Sequence, residues 1–241
     1  IKVIVYVFGV ESLRLSGAGN WLPYVASFTI ITASLVALNS DNLKKRLAYS
    51  TVSQLSYIVL SISLLNSYAV IAAIFHLVAH AFGKITLFFA AGAIYTSSHK
   101  TEVSELNGIG RIMPATMIAF TIGAVTMIGL PLTGGFVSKW FLLSSSTIQE
   151  HWAILLVIII STLLNVAYFM PIIYKAFFLK PLNNTLSRSF KEKTTYEHVR
   201  YSFGLETPIL ILLSMFITSF GSVLLFFYPE VIINLASKIS E

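Results

Sequence analysis

Three residues that can take up and release protons stand four apart in the segment FHLVAHAFGK: His76, His80 and Lys84. On a helix each such step turns about 40° and rises about 6 Å, so the three side chains form one slanted stripe. Histidine changes charge near neutral pH, and a lysine taken out of water can do the same. The stripe has the chemistry of a proton relay. Two other readings fit the same residues. The histidines could simply bond neighbouring helices, or hold a metal, because histidines at i and i+4 suit zinc. No glutamate follows His76 and no carboxylate lies on a hydrophobic segment, which leaves a metal short of ligands.

A second candidate is Lys139 in GLPLTGGFVSKW. Pro131 lacks an amide donor and clashes with the preceding turn. Gly134 and Gly135 are expected to let the helix unwind there. Interrupted helices at membrane depth line cavities and build ion sites in transporters. The alternative is an ordinary kink with Lys139 at the surface, but the apolar run WFLL after it argues for depth. The segment YSTVSQLSY adds Ser53, Gln54 and Tyr57, which suit either helix-to-helix bonding or the ordering of water for proton transfer.

The elements that must position these groups are hydrophobic helices. Of the 241 residues, 56% are hydrophobic and 11% charged, and mean hydropathy is +0.82. A soluble domain carries about 25% charged residues, so too little polar side chain is present to cover a water-facing surface. A spanning helix needs about 20 mostly apolar residues. Full candidates are residues 22–38, 49–65, 68–95, 113–130 (resuming over 136–145), 152–179 and 208–228. Residues 1–10 are too short to span and are expected to be the end of a truncated helix. The fold class expected is all-α: a polytopic transmembrane bundle of six spans plus a partial N-terminal helix, with one helix broken near Pro131–Gly135. Cysteine is absent, so no disulfide or thiolate site exists.

Threading these spans gathers ten basic residues on one side: Lys44, Lys45 and Arg46; Lys100 and Arg111; and Lys180, Arg188, Lys191, Lys193 and Arg200. Arg14 and Lys238 fall on the other. Cytoplasmic loops carry the excess of Lys and Arg, so loops 39–48, 96–111 and 180–206 are expected to be cytoplasmic. The net charge of +6 is thus a matter of topology and does not suggest nucleic acid. The four basic residues left over, Lys2, Lys84, Lys139 and Lys175, lie inside hydrophobic segments, whereas all ten acids lie outside them. A charge at the bilayer centre costs roughly 2.5–3.5 kcal/mol on insertion scales and marks ion or proton pathways. Lys175, near a helix end, can snorkel to the interface.

The strings LKKRLAYSTVSQLSYIVL, FHLVAHAFGKITLFFAAGAI and GLPLTGGFVSKWFLL, in that order, resemble the antiporter-like family. That family comprises the proton-pumping membrane subunits of NADH–quinone oxidoreductase (complex I) and their relatives in Mrp-type cation/proton antiporters. Its members carry two inverted five-helix repeats, each with a broken helix bearing a key ionisable residue. The resemblance implies that this chain matches the C-terminal half. Residues 11–179 would form the second repeat, 180–206 a polar loop and 207–241 a final helix and tail. It implies that Lys84, His80 and His76 belong to the central hydrophilic axis. It also implies that Lys139 is the terminal lysine of the second channel and that Lys2 is the eighth-helix lysine joining the two channels. The family's buried glutamate–lysine pair would lie in the missing first repeat.

Within the family, the lysine matching Lys139 is followed by an acid in the complex I subunit that ends in a long lateral helix; here Trp140 follows. The resemblance then favours the D-type antiporter subunit, with a complex I subunit as runner-up. It implies a proton and monovalent-cation carrier in a bacterial inner membrane, with other membrane subunits, the lipid bilayer, protons and sodium or potassium as partners. No nucleotide, flavin or iron–sulfur motif is present, so no cofactor is expected and any redox chemistry would belong to other subunits. A structural scaffold or gene fragment, and a metalloenzyme using His76 and His80, are the rivals from other classes.

Overall fold

The structure is a computed structural model describing residues 1–180 and 206–240. It is an all-α bundle. A π-helical turn, Val3–Phe8, precedes α1 (Val10–Ser16). Then come α2 (Leu22–Asn39), α3 (Leu43–Ser63), α4 (Ser67–Ser98), the short α5 (Ile109–Ile112), α6 (Pro114–Ile128), α7 (Gly134–Ile148) and α8 (Trp152–Phe178). Beyond residues 181–205 follow α9 (Ile209–Phe227) and α10 (Glu230–Ser240). The expected polar loop 180–206 falls, except for its two end residues, outside the described residues.

Helices α2, α4, α8 and α9 are each long and apolar enough to cross a bilayer. Helix α3 has 21 residues, about 31 Å at 1.5 Å each, and crosses between α2 and α4. Helices α6 and α7, 15 residues each, are too short to span alone and make one broken crossing. The outer surface is apolar, with Phe28, Leu163, Phe216 and Ile217 exposed, while lysines and histidines are inside. In water this would be an inverted protein; in lipid it is the arrangement that costs least.

Helix α4 is the axis of the bundle and packs against α3, α6, α7, α9 and α10. Small residues allow this: a Cβ on Gly83 would lie 2.5 Å from Met127 Cε, and one on Gly123 would lie 3.0 Å from Gly83 O. The polar loops collect at the two ends. At one end Leu43 N donates to Thr101 O (2.8 Å), Val103 N to Asp41 O (2.8 Å) and Gly108 N to Lys175 O (3.0 Å). Glu206 accepts from Ala115 N (2.9 Å) and Thr116 N (3.1 Å), capping α6 with a carboxylate at its positive end. At the other end Asn66 Nδ2 donates to Ser145 Oγ and Gln149 Nε2 to Leu64 O, each at 2.8 Å. Loops 39–48 and 96–111, expected on one side of the membrane, are thus at one end of the bundle.

Three details differ from the sequence reading. Helix α3 starts at Leu43, six residues before the expected 49, because Asn42 caps it by accepting from Lys45 N (3.1 Å). Arg46 is therefore a helix residue, only 7% exposed, and not a loop cation. Within residues 1–10 the helical turn closes at Phe8, and Gly9, at φ 78°, separates it from α1. The helix break runs from Gly129 (φ 82°) through Leu132 (φ 73°), and Gly134 and Gly135 already belong to α7. Their role is close approach: a Cβ on Gly135 would sit 1.8 Å from Thr126 O.

Candidate functional site: a buried lysine and histidine row

The break in α6 creates the seat of Lys139. Pro131 has no N–H to offer Met127 O, and with the chain turned at Gly129 and Leu132 the helical bond to Ile128 O is not made. These two carbonyls, at the negative end of a helix, accept from side chains instead. Lys139 Nζ donates to Ile128 O at 2.7 Å and Gln54 Nε2 to Met127 O at 3.3 Å. Lys139 Nζ also donates to Thr162 Oγ1 on α8 (3.1 Å) and lies 5.2 Å above the Tyr57 ring centre. Lys139 is 5% exposed.

Lys84, 4% exposed, sits nearer the loop-rich end. Its Nζ donates to Leu47 O (3.1 Å) and Ser50 Oγ (2.8 Å) on α3 and lies 5.8 Å from the Phe169 ring centre. Ser50 Oγ is 2.9 Å from the Tyr168 hydroxyl, which bonds Asn165 one turn earlier on α8. Arg46 fixes this corner from below. Its guanidinium donates to Ser40 O (2.8 Å), Tyr168 O (3.0 Å) and Leu38 O (3.4 Å), tying the end of α2 to α8.

Between the two lysines run His80 and His76. Their rings are 6.3 Å apart, and the His76 ring stacks on Tyr57 at 5.6 Å. His76 Nδ1 shares a hydrogen with Ser138 Oγ (2.9 Å), one residue before Lys139. Each neighbour in the row lies in the electrostatic field of the next: Lys84 and His80, His80 and His76, His76 and Lys139. Among the described residues, His76 Nε2, His80 Nε2, Gln54 Oε1 and Asn165 Nδ2 are buried without a hydrogen-bond partner. Among the described residues no carboxylate is buried with them, and the single ion pair is the exposed Arg14–Glu11. No third histidine, cysteine or carboxylate there joins His76 and His80 to make a metal-binding group.

The structure brings together His76, His80, Lys84 and Lys139, with Gln54 and Tyr57 between them. Ser53 is buried slightly aside, bonded to Ser34 Oγ (2.9 Å) and Ile30 O (3.2 Å). Lys2 is exposed at the N-terminal turn and does not join the row. Lys175 is half-buried in the last turn of α8, where snorkelling is open to it. Sequence reasoning missed Arg46, Ser50, Thr162, Asn165 and Tyr168. The signal was present. Arg46, Ser50 and Gln54 repeat the four-residue stripe of α4, and Ser161, Asn165 and Tyr168 follow i, i+4, i+7 on α8.

Residues 3–165 match the family model described as NADH:quinone oxidoreductase/Mrp antiporter, transmembrane. The chain belongs to that family. Among curated proteins it is 36% identical over 213 residues to NADH-quinone oxidoreductase subunit N of Desulforudis audaxviator, covering 88% of this chain and 42% of that protein. The chain thus spans less than half the length of the curated relatives it matches. Among solved structures it superposes on a chain of the Mrp complex from Dietzia sp. DQ12-45-1b with a TM-score of 0.77. Identity there is 22%, and the match covers 93% of this chain and 48% of that one. A chain of respiratory complex I from Thermus thermophilus gives 0.69, at 18% identity over 98% of this chain and 49% of that one. At such identities the structural likeness concerns the fold. This is an integral membrane protein of the family that complex I and Mrp-type antiporters share.

Proposed function

We propose that the chain carries protons through the membrane along Lys84, His80, His76 and Lys139, as part of a D-type subunit of a multisubunit cation/proton antiporter in a bacterial inner membrane. The observation that carries this is the pair of buried lysine amines, each held by carbonyls and hydroxyls, with two buried imidazoles between them. Protons enter at the loop-rich end, reach Lys84 past Ser50 and Tyr168, pass His80 and His76, and leave Lys139 for the far side. With no buried carboxylate among the described residues to neutralise them, two simultaneous positive charges repel in a poorly screened interior. A charge arriving at one lysine therefore favours its loss at the other. Sodium or potassium would be the exchanged ion, and other membrane subunits the partners. Gln54 supports the track, and Lys2, exposed at the N-terminal turn, stands outside it. Residues 11–179 are the repeat that houses it.

A second reading, a proton-pumping subunit of NADH–quinone oxidoreductase, is favoured by the curated relatives, whose names are those of such subunits. The track is the same in both, and the driving force differs. In sealed vesicles bearing the intact parent assembly, Lys139→Ala abolishes proton movement with the assembly still formed. Movement driven by a sodium or potassium gradient identifies the antiporter, and movement driven by NADH identifies the second reading. Undiminished proton movement in Lys139→Ala refutes the role given to Lys139.

A further inference from the structure

Beside Lys139 a crevice of about 190 Å³ opens between α7 and α8, lined by Lys139, Thr162, Phe136, Trp140, Ile158 and Ile159. Its mouth faces outward in the membrane-spanning part of the bundle: Trp140 is 60% exposed, and Ile159 is exposed too. Its floor holds the Lys139 amine, with no acid paired to it among the described residues. The lysine head is bonded at the broken end of α6, about 22 Å along that helix from the loop-rich face. A water-soluble anion or a phosphate headgroup reaching this depth would have to shed its hydration. A carboxylic acid can enter the hydrocarbon neutral, and its acyl chain matches an apolar, aromatic mouth. The volume suits a small head with the start of a chain and falls below that of a drug-sized pocket.

We propose that this crevice is a binding site for a long-chain fatty acid, which enters neutral and passes its proton to the Lys139 amine, so that the resulting carboxylate pairs with the ammonium and accepts from Thr162 Oγ1. Its chain lies along Trp140 and Ile159 into the bilayer. The charge complementarity is what selects this occupant over an ordinary lipid chain. Binding stands on the geometry of Lys139 alone. Only its consequence, that an occupied site stalls proton exchange at Lys139, rests on the function proposed above.

The chain has three tryptophans, and Trp21 and Trp152 are exposed. Subtracting the signal of a Trp140→Phe assembly from that of the unaltered one removes these and every other tryptophan, leaving Trp140 as the reporter within the intact assembly in phosphatidylcholine nanodiscs. Dibromostearic acid should quench it saturably, about tenfold more tightly than the methyl ester of the same acid, as one charge-assisted pair allows. Lys139→Gln should bring the acid down to the ester. Equal quenching by acid and ester overturns the proposal, as does selectivity that survives in Lys139→Gln. The acid-to-ester comparison needs no lysine variant, so it decides the matter even where Lys139→Gln does not fold. Because the readout is fluorescence, loss of proton transport has no bearing on it.

Discussion

An ammonium group inside a helical bundle is held by whatever lone pairs the backbone leaves free. For Lys139 these come from one interruption. Proline removes a donor, the chain turns at Gly129 and Leu132, and Ile128 O is left for Nζ. For Lys84 they come from α3, whose Leu47 O and Ser50 Oγ face α4. Gln54 stands between the two seats, with its amide on Met127 O and its side chain facing the Tyr168 hydroxyl. Gln54→Leu should therefore leave a buried carbonyl unpaired, at a cost of about 1–3 kcal/mol. It should also slow proton flux while leaving both contacts of Lys139 in place. Thermal inactivation and flux in vesicles measure the two effects, and unaltered flux would take Gln54 out of the track. The row on α4 was legible in the sequence because its members lie on one element at helical spacing. The stripes that carry Ser50 and Tyr168 were legible in the same way, but which groups they and Thr162 meet was not, because their partners lie 23 to 118 residues away along the chain.

Each of these seats depends on how closely its helices approach. Helix α7 leaves the break with Gly135 against the backbone of α6, where a methyl group would lie 1.8 Å from Thr126 O. Backbone cannot give way as a side-chain tip can. Gly135→Ala should force α6 and α7 apart, lengthen the Lys139–Ile128 bond and cost at least about 1–3 kcal/mol. Gly92→Ala on α4, where nothing lies within 4 Å, should be neutral or slightly stabilising. Thermal unfolding of the two variants compares a packing glycine with a free one. The sequence announced a break from Pro131 and its flanking glycines, but proline and glycine do not say which residue turns and which packs. Arg46 was misplaced for a similar local reason. Three consecutive basic residues resemble a loop, and only the Asn42 cap, with Ser40 O, Tyr168 O and Leu38 O, shows that α3 begins before them.

At the scale of the molecule, the described polar loops separate into two ends, and Lys44, Lys45, Lys100 and Arg111 lie at one. The number and order of crossings were legible because hydrophobic runs of membrane length survive any tertiary detail. The depth of the two lysines could not be read that way, since it depends on where the break falls. The chain has no cysteine, which makes topology directly measurable. In cysteine-free background, Arg111→Cys and Glu150→Cys, both exposed, should react with a membrane-impermeant maleimide from opposite faces. Labelling of both from one face would contradict the threading.

The central claim is that buried amines joined by imidazoles move protons, and Lys84→Met tests it most directly. Methionine keeps the length and apolar stem but has no proton to carry. In vesicles holding the intact parent assembly, driven proton flux should fall at least about tenfold, as removal of a proton-transfer group commonly gives, with the assembly still formed. Flux equal to that of the unaltered assembly would contradict the account, because protons would then be crossing without the row.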